Sequence, residues 1–220
     1  MRQFFESLEQ LQQRLLEMAG LVESSIHSSI RALVERDEEP TREVLRGEAR
    51  INQLEMEIDG TITRLLALQH PVASDLRLIR AVGKINTDLE RMGDLAVNIV
   101  ERALTLLKVP EVKPLVDIPQ MASIVEFMVR RSLDSFVKRD PNLARGVLAS
   151  DDAVDDLRDA VYKDLIEHMQ NDPPSVPAAV SLMFVARDLE RIADHATNIA
   201  EDAVFLTEGL DVRHAKPKAS

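Results

Sequence analysis

The stretch that begins at Asp88, DLERMGDLAVNIVERAL, returns 100 residues later as DLERIADHATNIAEDAV from Asp188, and ten of the seventeen aligned positions are identical. Repetition at a fixed offset means one structural unit built twice, so any fold for this chain has to contain two like halves. From Asp59 and Asp159 onward the halves align without a gap. Upstream, Arg36-Asp37 ahead of Pro40 matches Arg139-Asp140 ahead of Pro141 once a shift of three residues is allowed.

Proline marks the ends of the elements. The ten prolines fall at 40, 71, 110, 114, 119, 141, 173, 174, 177 and 217, leaving long proline-free stretches. Proline is excluded from helix interiors because it lacks an N–H and clashes with the preceding turn. Six helical segments result, roughly 3–36, 41–69, 72–107, 119–138, 142–170 and 176–207. In the first, Phe4, Leu8, Leu11, Leu15, Met18, Val22, Ile26, Ile30 and Leu33 recur at steps of three and four, the pattern of one buried helix face. Ile51, Leu54, Ile58, Ile62 and Leu65 do the same in the second, and Met18, Met56, Met92, Met128 and Met183 read as core. With seven Gly and no Trp in 220 residues, the composition is helical. The predicted fold class is therefore all-α, with two pseudo-symmetric three-helix bundles in tandem: residues 1–107, a proline-rich linker at 108–118, residues 119–207, and a flexible tail at 208–220.

What repeats most faithfully is polar. Asp88, Glu90, Arg91, Asp94, Asn98 and Glu101 recur as Asp188, Glu190, Arg191, Asp194, Asn198 and Glu201. At about 100° per residue, Glu90, Asp94, Asn98 and Glu101 share one quarter of the helix circumference. Met92, Ala96, Ile99 and Ala103 lie opposite, so the acidic stripe is expected to face water. Carboxylates at i and i+4 repel by about 0.2–0.5 kcal/mol, and folding gains nothing evident from them. Glu55 and Asp59 repeat the spacing on the second helix, Asp155 and Asp159 on the fifth. Neighbouring helices would bring Glu55 and Asp59 to Glu90 and Asp94, and Asp155 and Asp159 to Glu190 and Asp194. Converging carboxylates, with the amide oxygens of Asn98 and Asn198, form a hard-oxygen set suited to iron, manganese or magnesium, or to calcium in a looser geometry. For any single pair an ordinary solvated helix face is the better account; recurrence of the whole pattern is what favours a site. Arg91 and Arg191, one step round from the stripes, and Glu101 and Glu201, within them, are expected on a partner-facing surface. His195 adjoins Asp194, but its counterpart is Leu95, so the repeat gives it no support as a ligand.

Several classes are excluded or disfavoured. A net charge of −11 argues against nucleic acid as a partner. Absence of Cys removes disulfides, thiolate metal sites and a Cys nucleophile. No apolar run is long enough to insert in a bilayer, and the charged start MRQFFESLEQ is unlike a signal peptide, so a cytoplasmic location is expected. There is no phosphate-binding loop, no Ser/His/Asp arrangement and no Glu-x-x-His pair, the mark of carboxylate-bridged di-iron bundles.

The repeated D-L-E-R-[IM]-x-D-x-A-x-N-I pattern in paired helical triplets closely resembles the PhoU family of phosphate-uptake regulators. FFESLEQLQQRLLEMAGLVESSI is similar to that family's first helix and INQLEMEID to its second-helix motif. The resemblance covers nearly the whole chain. It departs in the second half, where DDAVDDLRD stands in place of a close copy of INQLEMEID and Leu95 becomes His195. It implies six helices in two triplets. It implies metal held through E/D-x-x-x-D motifs, here Glu55/Asp59, Glu90/Asp94, Asp155/Asp159 and Glu190/Asp194. The metal would be a divalent or ferric ion: iron, manganese, magnesium or zinc. It further implies a homodimeric negative regulator of the phosphate-starvation response, an adaptor without catalysis between a membrane phosphate ABC transporter and a sensor histidine kinase. A carboxylate-ligated metal enzyme and a metal-free helical adaptor are the alternatives.

Overall fold

The computed structural model describes residues 2–69, 71–112 and 117–212, with the side chains of 2, 3 and 69 left aside. The chain forms α1 (Arg2–Val34), α2 (Glu39–Gln69), α3 (Ala73–Leu106), α4 (Asp117–Lys138), α5 (Pro141–Leu148), α6 (Asp151–Asn171) and α7 (Val176–Glu208), with a 3-10 turn at Pro173–Ser175. Among the described residues there is no strand. Helices α1–α3 make one triplet; α4, α7 and the interrupted rod α5–α6 make the other.

The repeat is visible in the backbone. Arg36 and Arg139, the matched pair of the sequence, both take positive φ, 52° and 50°. The aspartate after each caps the next helix: Asp37 Oδ1 accepts from Glu39 N–H at 3.1 Å and Asp140 Oδ1 from Asn142 N–H at 2.9 Å. Each turn thus stops one helix with a left-handed residue and starts another with an Asp cap. In the first half Arg36 does more. Its guanidinium donates to the carbonyls of Leu106 (2.8 Å) and Val109 (2.9 Å), fastening the end of α3 and the start of the linker.

The expected single helix over 142–170 is broken at Ala149-Ser150, into α5 and α6. Neither residue is a helix breaker, so no proline or glycine announced the interruption. Met56 is a second departure from expectation: it is 66% exposed, because it lies off the Ile51–Leu54–Ile58 stripe.

The core stripes of α1 and α2 are buried except for Ile30 and Ile62, which are half-buried against the core, and Met92, Ala96, Ile99 and Ala103 are buried with their repeats Ile192, Ala196, Ile199 and Ala203. The two triplets share one continuous hydrophobic core, because α3 and α7 pack against each other. Lys84 meets Asp202, Asp88 meets His195 and Asn198, and Arg102 meets Asp188, so the two helices are antiparallel. Asn198 is the repeat of Asn98; the midpoint of 88 and 98 puts a pseudo-two-fold axis beside Gly93 and Ala193. Gly93 is buried, and a Cβ there would lie 3.3–3.4 Å from the Ile51 side chain. This glycine therefore lets α2 approach α3 closely beside the acidic residues. At the far end Gly209, φ 71°, closes α7 by donating its N–H to the Phe205 carbonyl. The linker at 108–118 and the tail at 208–220 fall partly on 113–116 and 213–220, outside the described residues.

Candidate functional site: two unequal acidic patches

The first patch lies between α2 and α3. Glu90 and Asp94 come from α3, and Glu55 from α2 is near enough to repel Glu90. The Glu90 side chain is only 19% exposed. The expectation that the stripe faces open water is corrected for Glu90, because α2 packs beside it, while the Asp94 side chain is 42% exposed. Burial raises the Glu90 pKa above its ordinary value, Asp94 and Glu55 add to the rise, and Arg91 and His195 oppose it. Arg91 compensates loosely, 3.4 Å from Glu90 and 3.8 Å from Asp94, with its side chain 56% exposed. Beneath the acids sits Asn86, which no motif in the sequence had singled out. It is fully buried, and its Nδ2 donates to Asp59 Oδ1 and to the Glu55 carbonyl, each at 3.2 Å. Its Oδ1 is buried without a hydrogen-bond partner. A buried unsatisfied acceptor is costly in a native fold and asks for a donor or cation.

The second patch lies between α6 and α7, with Asp151 and Asp155 from α6 and Glu190 and Asp194 from α7. Burial pushes Asp194 up to about 6, Glu190, Asp151 and Asp155 add to it, and His195 opposes. Asp194 as a residue is exposed, so the mutual repulsion of the carboxylates is the cause that bears on cation binding. Burial and Asp155 likewise raise Asp151. Here the chain supplies its own cation. Arg158 donates to Asp155 Oδ1 (2.9 Å), Asp159 Oδ1 (2.9 Å) and Glu190 Oε1 (2.8 Å).

Not every expected residue joins these patches. Asn198 turns to the seam between the halves, its Nδ2 3.2 Å from Asp88 Oδ1. Asp159 is exposed and held by Arg158. Asn98 is half-buried, and Glu101 and Arg191 are exposed. Glu201 lines an open cleft of about 500 Å³ beside the seam, together with Arg80, Lys84 and Asp202. His195 proves structural across the seam: its Nδ1 lies 2.8 Å from Asp88 Oδ1. Arg102 both pairs with Asp188 at 3.2 Å and stacks over Phe184 at 4.5 Å. The repeated Asp88 and Asp188 were the available signal for this seam, but the pattern of a single helix could not show that they face the other half.

Among the described residues no three His, Asp or Glu side chains are already placed as metal ligands. The first patch nonetheless fits a hard cation by its chemistry: several carboxylates, with the proton affinity of Glu90 raised, and a buried unsatisfied amide oxygen on Asn86, which bonds Asp59 and the Glu55 carbonyl. The PhoU domain matches the chain twice, over residues 15–103 and 118–203, the two helical triplets. The chain belongs to the PhoU family. It is 42% identical over 210 residues to a phosphate-specific transport system accessory protein PhoU homolog of Aquifex aeolicus, covering 96% of this chain and 95% of the relative. A Pseudomonas aeruginosa homolog of the same description is 38% identical, covering 97% and 88%. The crystal structure of PhoU from Pseudomonas aeruginosa superposes with a TM-score of 0.92 at 36% identity, covering 94% of this chain and 100% of that one. The regulatory protein PhoU of the phosphate transport system from Streptococcus pneumoniae gives 0.86 at 30% identity, covering 95% and 99%. Within the PhoU fold, both acidic patches sit where the second rod of each triplet meets α3 or α7.

Proposed function

We propose that this chain is a cytoplasmic regulator of phosphate uptake, a homodimeric adaptor that represses the phosphate-starvation response and links a membrane phosphate transporter to a sensor histidine kinase. The observation that carries the transport role is similarity along nearly the whole chain to proteins described as accessory to a phosphate-specific transport system. Among the described residues no helix is long and apolar enough to cross a membrane, so contact with the transporter falls to a protein surface. The adaptor performs no reaction step.

The first acidic patch is the regulatory cation site in this reading, with Glu55, Glu90 and Asp94 supplying oxygens and Asp59 held in place by Asn86. A divalent or ferric ion would satisfy the charge of Glu90 together with the Asp94 and Glu55 carboxylates that raise its proton affinity. A second reading, in which the acids dock a basic partner without metal, draws on the absence of a ready-made ligand set among the described residues. Gene deletion tests the regulatory role. Deletion should derepress phosphate uptake in rich phosphate, and wild type should restore repression. A Glu90→Gln/Asp94→Asn variant should fail to restore it if the first patch is the working surface. Full repression by that variant would remove the patch from the mechanism, and unchanged uptake on deletion would overturn the regulatory reading itself.

A further inference from the structure

The two patches occupy matching positions in the repeat, yet their guanidiniums differ: Arg158 lies 2.8–2.9 Å from its acids, Arg91 3.4 and 3.8 Å from its own. In the second patch Arg158 projects from α6 onto the groove between α6 and α7. The Arg158 side chain is 24% exposed and Glu190 only 22%, so this contact is partly withdrawn from water. It ties together both acids of one motif, Asp155 and Asp159, and the first acid of the other, Glu190. Arg91 in the first patch is the contrast: more exposed and more distant from its acids.

We infer that Arg158 is a built-in cation that closes the second patch, so that cation binding in this chain is confined to the first half. This rests on the reading of the first patch as a cation site. A planar guanidinium makes directional bonds to several carboxylate oxygens at once. A metal ion needs those same oxygens and is repelled by the guanidinium, so it must first displace Arg158 from partly buried bonds. The first patch asks for no such displacement. The two halves, alike in backbone, thereby become one site for an added ion and one internally neutralised strut.

The test is Mn²⁺ titration of the full chain, followed by the EPR signal of free Mn²⁺ and by thermal shift. In the wild-type protein, Glu90→Gln/Asp94→Asn should abolish uptake, while Glu190→Gln/Asp194→Asn should leave it unchanged. Arg158→Ile, which removes the guanidinium, should open a further binding event, and adding Glu190→Gln/Asp194→Asn to it should remove that event. Arg158→Gln, which drops the charge but keeps a polar side chain, should show the same gain and covers the case in which the isoleucine variant fails to fold. Arg158→Lys should stay closed. Loss of wild-type uptake in Glu190→Gln/Asp194→Asn, or no gain in a folded Arg158→Ile or Arg158→Gln protein, overturns the inference. If the wild type takes up no Mn²⁺ but the Arg158 variants do, the first-patch reading falls and the role of Arg158 stands; if neither binds, both fall.

Discussion

Replacing Lys84 by Met should loosen the seam between the two halves by an amount that the structure sets. Lys84 Nζ is 2.7 Å from Asp202 Oδ1; the Asp202 side chain is 8% exposed and that of Lys84 35%. Burial already raises the Asp202 pKa, and Lys84 is the main group opposing the rise. Deleting one partner of a fully buried pair costs about 3–5 kcal/mol, and water around Lys84 reduces this to about 2 kcal/mol. For a chain of this length the loss corresponds to about 4–8 °C in Tm. The sign of the pH dependence comes from linkage. Without Lys84 the folded-state pKa of Asp202 lies further above its unfolded value, so the folded state binds the extra proton. The deficit is then fully present at high pH and shrinks as pH falls toward the ordinary carboxylate range. Lys84→Met/Asp202→Leu should recover most of the loss, because no unpaired charge remains in the seam. Thermal unfolding monitored by circular dichroism at several pH values measures all three proteins. A Lys84→Met protein as stable as wild type, or a double variant at least as damaged as the single one, would refute the argument that the halves are locked by buried charge pairs.

Single contacts set the other expected outcomes. Asp194 carries a pKa raised to about 6, so its ionised form is disfavoured in the folded state and its destabilising effect builds as pH rises from the unfolded value through about 6. Asp194→Asn should therefore stabilise the protein at pH 8, and the gain should fade as pH approaches 4, as read by Tm. Arg36→Ala removes two charge-assisted bonds to the ends of α3 and the linker. It should cost about 2 kcal/mol and speed proteolysis between α3 and α4; unchanged cleavage would show that the linker is held by other contacts.

Much of the fold was legible because helix boundaries are written by proline and cap chemistry, and helix faces by spacing. Arg36-Asp37 and Arg139-Asp140 were matched from the sequence alone, and both turn out to be left-handed stops with an Asp cap directly after. The break at Ala149-Ser150 was not legible, since both residues are tolerated in helices and tertiary packing decides. For the acids, spacing identified which ones share a face, and it brought Glu55 to Glu90 and Asp155 to Glu190 correctly. It could not reveal what lies beneath or across from them. Asn86, Arg158 and the His195–Asp88 contact depend on which helix is the neighbour and in what direction it runs. Asn198 shows the cost of reading one helix at a time: its motif places it with Glu190 and Asp194, but the antiparallel partner α3 offers it Asp88 first.

The central claim, that the first patch holds a cation on which regulation depends, is tested most directly by metal analysis of the protein purified without chelator. Elemental analysis should find divalent or ferric metal on the wild-type chain and none on Glu90→Gln/Asp94→Asn, with the helical circular dichroism of the two proteins unchanged. Equal metal in both proteins, or metal in neither, would contradict the claim.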